Sequence, residues 1–314
     1  MKIVFMGTPE FAVPTLKALH EAGHNIALVI AQPDRPSGRG RKTTPPPVKN
    51  AAEELGLDII QPENVNAEEP VKRIADCAPD IIVVVAFGQI LKKRLLEIPR
   101  LGCVNLHGSL LPLLRGAAPI QRSVMEGHKE AGVTTMMMAR KMDAGDMLMK
   151  ESIPIGTETT AGDLHDSLAV IGAKLMVTSL NLLSKGGITP EPQDETAATY
   201  AAKIETGERL IDWRMSAEKI DRTIRGLSPN PGAYTYFRGK RLQILRSRVL
   251  DNVPSAGKPG RIIGMRQEYL EVEAENGRLA ILEIGPEGKK AIPANVWANG
   301  ARLKDGDHFA DNPD

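Results

Sequence analysis

Hydrophobic and polar positions follow two different patterns along the chain, and the change falls near residue 190. Before it, apolar runs such as KIVFMG, NIALVIAQ and DIIVVVAFG alternate with segments whose apolar residues recur every three or four positions. Long β-branched runs are typical of parallel strands covered on both faces, and the intervening period is typical of amphipathic helices. The alternation predicts an α/β fold with a Rossmann-like, doubly wound and mostly parallel sheet.

The second pattern begins after a polar, proline-punctuated stretch at residues 189–208, which predicts a linker. One helix-like segment, AEKIDRTIRGL, follows it. Short alternating runs separated by turn residues then predict a smaller C-terminal β-barrel of the OB-like type. We therefore divide the chain into an N-terminal domain at 1–188, a linker at 189–208 and a C-terminal domain at 209–314.

Composition excludes several classes of protein. The 314 residues are 42% hydrophobic and 25% charged, as in soluble globular proteins. The two cysteines, Cys77 and Cys103, indicate a reducing compartment, and no Cys/His group has metal-ligand spacing. The N-terminus is neither a signal peptide nor a membrane span, and GTPEFA lacks the glycine pattern of a dinucleotide site. We expect a cytoplasmic protein, a monomer by default, with no metal, no NAD and no membrane partner.

Positive charge is concentrated in two places, although the net charge is only +1. Residues 216–266 contain eleven Lys or Arg and three acidic residues, and a second basic group, GRGRK, lies at residues 38–42. Basic patches attract polyanions and bind phosphates without reading sequence. A solvated basic surface is an equally good explanation for either patch taken alone.

The candidate chemistry lies at predicted strand ends. Asn105 and His107 are two residues apart in CVNLHG, so an extended strand would point both side chains to one face. Asp143 follows a later strand in a glycine-containing loop. An amide can donate to an oxyanion, an imidazole can move protons, and a carboxylate can orient the imidazole. The three would suit acyl transfer to an amine, although each residue alone is more often structural.

Several motifs resemble those of the formyltetrahydrofolate-dependent formyltransferase family, over essentially the whole chain. They are NLHGSLLPLLRGAAPIQ with MDAGDML, and also MKIVFMGTPEFAVP, QPDRPSGRGRK, VVVAFGQIL, QDETAATYAAKI and IDW. The resemblance implies that Asn105, His107 and Asp143 are catalytic. One departure is that many relatives carry a basic or aromatic residue where this chain has Leu113 and Leu114.

The resemblance also implies two sets of binding residues. The folate donor is expected to contact Phe87, Gly88, Gln89, Ile90, Ser109, Leu110, Leu111 and Pro112. An inserted loop is expected to contact the acceptor end of a tRNA, and the basic barrel its phosphates. The residues of this second set are Arg39, Arg41, Lys42, Arg238, Lys240, Arg241, Arg246 and Arg248.

The implied reaction is transfer of the formyl group of 10-formyltetrahydrofolate to the α-amine of methionyl initiator tRNA. A family member acting on a small amine (glycinamide ribonucleotide or an amino-sugar nucleotide), or a formyltetrahydrofolate hydrolase, would keep the same trio. Such enzymes have little use for two basic patches, which favours the tRNA substrate. A non-catalytic RNA-binding protein is the alternative of another class, and the intact trio argues against it.

Overall fold

The computed structural model describes residues 1–37, 42–254 and 257–313, and these form two compact units. The first unit comprises Met1–Gly116, Gly132–Ile153 and His165–Ala201. The second comprises Ala117–Ala131, Pro154–Leu164 and Ala202–Asp314. Part of the predicted linker therefore belongs to the first unit and part to the second. The boundaries proposed from sequence remain a prediction.

The elements up to residue 201 alternate between strands and helices, as the apolar pattern predicts. The strands are β1 (Lys2–Gly7), β2 (Asn25–Ile30), β3 (Arg35–Ser37), β4 (Lys42–Thr44), β5 (Ile59–Ile60), β6 (Ile81–Val85), β7 (Cys103–His107), β8 (Arg115–Gly116), β9 (Glu130–Met137), β10 (Met147–Pro154) and β11 (Tyr200–Ala201). The helices are α1 (Val13–Glu21), α2 (Pro47–Glu54), α3 (Glu68–Asp76), α4 (Lys93–Leu96), α5 (Pro119–Met125) and α6 (Ala161–Ser184), with a short 3-10 helix at Glu10–Ala12.

Seven strands form the central sheet in the order β10-β9-β7-β6-β1-β2-β5. The pairs from β7 through β5 are parallel, and β9 runs antiparallel to β7. Every residue of β6 is buried, as expected for a strand covered on both faces. The prediction of a mostly parallel α/β sheet is confirmed. The chain order reverses between β1 and β6, and ligands of such sheets bind beyond the carboxyl ends of strands at this reversal.

Helix α6 packs against this sheet. A Cβ placed on Gly172 would lie 2.6 Å from Leu106 Cδ2, so the glycine allows helix and strand to approach closely. The Ser179 hydroxyl is 2.7 Å from that of Thr135 on β9. Among the described residues α6 alone is long and apolar enough to cross a membrane, but these contacts are those of a helix packed on a sheet.

The second unit is rich in antiparallel strands. Its elements after residue 201 are a 3-10 helix (Thr206–Arg209), α7 (Ala217–Leu227), β12 (Ala233–Phe237), β13 (Lys240–Pro254), β14 (Ile262–Met265), β15 (Leu270–Glu273), β16 (Asn276–Pro286), β17 (Ile292–Pro293) and α8 (Ala294–Ala301). The sheet order is β12-β13-β16-β15-β14, with β17 paired to β16. The predicted strand-rich C-terminal domain is confirmed.

The end of the chain joins the two outer strands of this sheet. Ala310 exchanges two backbone hydrogen bonds of 2.9 Å with Tyr236 on β12. Phe309 donates its N–H to the Gly260 carbonyl at 2.8 Å, just ahead of β14. The Phe309 ring stacks on Trp213, 5.5 Å between centroids, and both side chains are buried in the core. The tail therefore covers part of the β12 edge and of the segment that leads into β14.

Candidate active site

Strand β7 presents Asn105 and His107 on the face of the sheet opposite α6. Leu106 lies between them and points to Gly172 of the helix, so strand alternation turns its two neighbours to the other face. His107 is 7% exposed, whereas Asn105 is partly exposed. In the described part of the chain, the Asn105 amide makes no hydrogen bond to another protein group. It is therefore free to donate to a bound molecule.

His107 is held by contacts at both ring nitrogens. Its Nε2 lies 3.1 Å from the Leu114 carbonyl oxygen, and its Nδ1 lies 3.8 Å from Asp143 Oδ2. Because a carbonyl oxygen only accepts, the proton of this hydrogen bond is on Nε2. The nitrogen left to exchange a proton is Nδ1, which faces the carboxylate.

Asp143 lies in the loop between β9 and β10. Its Oδ2 accepts a hydrogen bond of 2.9 Å from the Gly116 N–H, and the side chain is 15% exposed. Its backbone is left-handed, with φ of +50°, as is that of Leu114, at +57°. Such conformations cost about 1–3 kcal/mol each and persist only where surrounding contacts impose them. The structure thus brings together the three residues that the sequence singled out.

The contacts that impose this geometry come from residues 191–201. Gln193 Nε2 donates to the carbonyl oxygens of Asp143 and Gly145, at 2.9 and 2.7 Å. Gln193 Oε1 accepts from Arg115 Nε and Nη2, at 3.0 and 2.8 Å, and the Arg115 side chain is 1% exposed. Thr199 Oγ1 accepts from the Leu114 N–H at 2.8 Å. One segment therefore braces both loops that flank His107.

Glu195 adds ion pairs at the surface to the contacts made by residues 191–201. It pairs with Arg115 Nη2 at 2.9 Å and with Lys141. Hydrogen bonds from Arg115 and then Lys141 lower the pKa of Glu195 to about 2, so the carboxylate is charged throughout the working range. Gln193, Glu195 and Thr199 were not predicted from the sequence to belong to the site. Their only signal was the QDETAATYAAKI motif.

The first group of predicted folate residues follows β6. The Phe87 carbonyl accepts from Thr8 Oγ1 at 2.9 Å and from Gln32 Nε2 at 3.1 Å, and the Phe87 ring is buried. Gly88 has φ of +86°, which favours glycine. Gln89 is engaged with the neighbouring loop through the Val65 N–H and the Pro62 carbonyl. Ile90 is exposed by 69%. Phe87 and Gln89 thus shape the loop, and the Ile90 side chain points into solvent.

The second group follows β7. Ser109 Oγ donates to the Leu113 carbonyl at 2.6 Å, and the Ser109 carbonyl accepts from Thr134 Oγ1 at 2.6 Å. The Leu111 N–H donates to the same Thr134 hydroxyl at 3.1 Å, and Leu111 is buried. Leu110 and Pro112 are partly exposed. These hydrogen bonds hold the loop beside His107, and a folate-binding role for its residues remains a prediction.

Several apolar side chains close in sequence to site residues are exposed. Ile90, Leu113, Met142 and Tyr200 are exposed by 69%, 36%, 62% and 65%. Leu113, where the sequence departs from the family pattern, is exposed, whereas Leu114 is buried.

The predicted tRNA-binding residues differ in their surroundings. Arg39 and Arg41 lie outside the described residues, as does the Lys42 side chain. Arg238 is paired with Asp307 at 2.7 Å and also donates to the Ala301 and Arg302 carbonyls.

The remaining basic candidates lie on β13. Arg246 approaches Glu283 at 3.7 Å and Asp163 at 3.8 Å, and Arg248 approaches Glu158 at 3.9 Å. Lys240 and Arg241 have no carboxylate within 4 Å in the part of the chain that the structure describes. Much of the basic excess counted over 216–266 is thus balanced by acids outside that window. The tRNA role of these residues remains a prediction.

A free amide, a braced histidine and a carboxylate on one face of an α/β sheet suit acyl transfer to a nucleophile. No group of three or more His, Cys, Asp or Glu side chains suited to a metal occurs among the residues described. Fold and site together are those of an enzyme suited to acyl-transfer chemistry.

Comparisons with known proteins define the class further. Residues 1–180 match the family model described as formyl transferase, and residues 203–302 match the formyl transferase C-terminal domain. The chain is 48% identical over 308 residues to the methionyl-tRNA formyltransferase of Moorella thermoacetica, covering 98% of both chains. It is 44% identical over 306 residues to that of Geobacter sulfurreducens, covering 98% of this chain and 96% of the relative. The chain therefore belongs to the formyl transferase family, which confirms the resemblance seen in the sequence motifs and the prediction of a formyl-transferring enzyme.

Solved structures share the fold at low identity. HypX from Aquifex aeolicus in complex with tetrahydrofolic acid aligns with a TM-score of 0.64 at 17% identity, covering 95% of this chain and 47% of that one. An N-formyltransferase from Helicobacter canadensis, in complex with folinic acid and dTDP-3-aminofucose, aligns with a TM-score of 0.63 at 17% identity, covering 90% and 98%. These likenesses support the architecture.

Proposed function

We propose that this enzyme transfers the formyl group of 10-formyltetrahydrofolate to the α-amino group of methionyl initiator tRNA. The observation that carries the proposal is the His107–Asp143 pair beside the free Asn105 amide, in a chain 48% identical to a protein named for this reaction. The folate is a co-substrate, and the exposed Ile90 and the fixed loops after β6 and β7 fit a flat ring system at the sheet edge.

In the proposed reaction the neutral amine nitrogen attacks the formyl carbon. A new C–N bond forms, and the carbonyl oxygen becomes an oxyanion that Asn105 stabilises by donating from its amide. The bond between the formyl carbon and the folate nitrogen then breaks. The proton released by the amine ends on that folate nitrogen, so charge and atoms balance.

His107 acts at Nδ1. Since Nε2 donates to the Leu114 carbonyl, Nδ1 is the nitrogen that accepts and returns the proton in transit. A proton on Nδ1 faces the Asp143 carboxylate at 3.8 Å, which stabilises the transient imidazolium. An α-amino group has a pKa of about 7.7–8 in peptides, so a substantial neutral fraction exists near pH 7.5.

The test of the catalytic assignment is formyl transfer by Asn105→Ala. Loss of an oxyanion donor lowers kcat by about 100- to 1,000-fold. Asn181→Ala, which removes an exposed amide on α6, is the matched control and retains wild-type kcat. Wild-type turnover by Asn105→Ala would exclude Asn105 from the chemistry.

The acceptor is tested separately. Charged initiator tRNA, charged elongator tRNA, glycinamide ribonucleotide and an amino-sugar nucleotide are compared at equal concentration. The proposal requires initiator tRNA to be preferred, and KM for it to rise steeply with salt, because phosphate contacts release counterions. Preference for a small amine with no salt dependence would replace the proposed acceptor and leave the catalytic trio standing.

The same proposal covers the organisation of the protein. Residues 1–188 would form the catalytic domain, 189–208 the linker and 209–314 the OB-like tRNA-binding domain, in a cytoplasmic monomer with no membrane partner. The 3.7–3.9 Å approaches of Arg246 and Arg248 to carboxylates are loose enough to be exchanged for phosphates.

A further inference from the structure

The Thr134 hydroxyl joins strand β9 to the loop that follows β7. Thr134 is the cross-strand partner of His107, so the two side chains lie on the same face of the sheet. Its Oγ1 donates to the Ser109 carbonyl at 2.6 Å and accepts from the Leu111 N–H at 3.1 Å. The threonine side chain is fully buried. One buried hydroxyl therefore holds the backbone of the loop on both sides of Leu110.

The side chain of Leu110 adds a packing contact to these hydrogen bonds. A Cβ placed on Gly132 of β9 would lie 2.3 Å from Leu110 Cδ2, so the glycine leaves room for the leucine. Gly132 lies two residues before Thr134 on the same strand. The start of the loop is thus held against β9 by its backbone and by a side chain.

The far end of the loop carries the acceptor for His107. Ser109 Oγ donates to the Leu113 carbonyl at 2.6 Å, and the Leu113 N–H donates to the Leu110 carbonyl at 3.1 Å. The next carbonyl, that of Leu114, accepts from His107 Nε2 at 3.1 Å. Because these hydrogen bonds run from one end of the loop to the other, the threonine contacts at its start help to determine where this carbonyl lies.

Two oxygens compete for the single proton of a neutral His107 ring. The Leu114 carbonyl oxygen lies 3.1 Å from Nε2, within hydrogen-bond range, whereas Asp143 Oδ2 lies 3.8 Å from Nδ1, beyond that range. The first contact therefore keeps the proton on Nε2 and leaves Nδ1 able to accept another. If the carbonyl moved away, the carboxylate would draw the proton to Nδ1, and the ring could no longer accept a proton there.

We propose that Thr134 is a positioning residue for formyl transfer. Its hydroxyl holds the loop of residues 109–114 so that the Leu114 carbonyl keeps the His107 proton on Nε2. The inference rests on the proposed function, in which His107 accepts and returns a proton at Nδ1. Thr134 acts through the loop backbone and needs no contact with either substrate.

The neighbouring Thr135 provides a matched control. It is also fully buried, and its hydroxyl lies 2.7 Å from that of Ser179 on α6 and accepts from the Met149 N–H at 3.2 Å. Thr135 is the cross-strand partner of Leu106, so its side chain lies on the face that packs on α6, away from His107. Replacing either threonine by valine removes one buried hydroxyl and keeps the shape, but only one of the two changes reaches the loop.

The first measurement determines which nitrogen of His107 carries the proton. Histidine is labelled with nitrogen-15 in the full chain, and the His107 signals are identified by their absence from His107→Gln. At about pH 8.5, well above the usual imidazole pKa of about 6.5, the nitrogen shifts report the tautomer. Wild type and Thr135→Val should carry the proton on Nε2, whereas in Thr134→Val the signals should shift toward protonation of Nδ1. The wild-type spectrum tests the inference even where a variant fails to fold.

The second measurement is steady-state formyl transfer by the same variants. Thr134→Val should lower kcat about 10- to 100-fold, because two hydrogen bonds of ordinary net strength no longer hold the loop. KM for 10-formyltetrahydrofolate should change less than kcat. Thr134→Ser keeps the hydroxyl and should recover most of the lost kcat, and Thr135→Val should remain near wild type. Circular dichroism during thermal unfolding checks that each variant is folded.

A wild-type His107 protonated on Nδ1, or unchanged nitrogen shifts in Thr134→Val, would overturn the inference. Equal losses of kcat in the two valine variants would overturn it as well. So would a higher KM for the folate with wild-type kcat, because the threonine would then serve only donor binding. Failure of the wild-type enzyme to formylate charged initiator tRNA would instead contradict the proposed function. The tautomer is measured in the free enzyme, so the two failures are distinguishable.

Discussion

Replacing Gln193 by glutamate tests whether the segment at 191–201 controls the catalytic loop. Glutamate has the shape of glutamine and can still accept from Arg115. It has no N–H to donate to the Asp143 and Gly145 carbonyls, which Gln193 contacts at 2.9 and 2.7 Å. The substitution therefore breaks the brace at the loop and preserves it at the arginine.

The magnitude follows from two lost hydrogen bonds, each worth about 0.5–1.5 kcal/mol net, or about 1–3 kcal/mol together. Without them the left-handed backbone of Asp143, at φ of +50°, can relax. Since about 1.4 kcal/mol is tenfold in an equilibrium, the productive loop population and kcat should fall about 5- to 150-fold. KM for the folate should change little, because the loops after β6 and β7 are untouched.

The assay is steady-state formyl transfer to charged initiator tRNA, with Asp143→Asn and the double variant measured in parallel. If Gln193 acts through Asp143, the losses are not additive, and Gln193→Glu costs little once the carboxylate is gone. Glu195→Gln, which keeps an oxygen acceptor for Arg115, is the control and should stay near wild type. An undiminished kcat in Gln193→Glu, or fully additive losses, would refute the reasoning.

Three further predictions concern stability and reactivity. Asp221 is buried and accepts a hydrogen bond of 2.7 Å from Arg225. Asp221→Ala should therefore lower the free energy of unfolding by about 3–5 kcal/mol. An equal loss in an exposed Asp→Ala variant would contradict this. Burial raises the pKa of Cys103 to about 12. Its thiol should therefore react with Ellman's reagent at pH 8 only after unfolding. Prompt labelling of Cys103 in the native protein would be inconsistent with this prediction. The pKa of Glu195 is lowered, so its stabilisation is present above about pH 4.5 and lost as pH falls through about 2. Urea unfolding should therefore show a weaker dependence on pH across this window in Glu195→Gln, and identical dependence would argue against the ion pairs.

The sheet could be predicted because burial on both faces leaves a direct mark on composition. The run at β6 is β-branched throughout, and all five of its residues are buried. The β3–β4 pairing was missed, because proline-rich sequence is typical of loops and the register depends on partners across the hairpin. Strand β17 and helix α8 were missed as well, since AIPANVWANGA carries turn residues within its helix. Tertiary packing overrides propensity there.

Some residues of the site could likewise be predicted from the sequence, and others could not. Asn105 and His107 could be paired from sequence because residues two apart in a strand point to the same face. The contacts of Gln193 could not be predicted in this way. Gln193 lies 50 residues from Asp143 and donates to its backbone carbonyl. Backbone acceptors are identical at every position, so no side-chain pattern reveals such a contact. A local count of charges likewise leaves out distant partners, since Asp307, the partner of Arg238, is 69 residues away.

In the proposed mechanism the His107–Asp143 pair and Asn105 carry formyl transfer to an aminoacylated tRNA. The most direct test is to mix the purified enzyme with 10-formyltetrahydrofolate and charged initiator tRNA. The rate at which the methionine amine is formylated is then compared between wild type and Asn105→Ala. Wild type should formylate the amine rapidly, and the variant should be slower by about 100- to 1,000-fold. Absence of formylation by the wild-type enzyme, or equal rates for the two proteins, would contradict it.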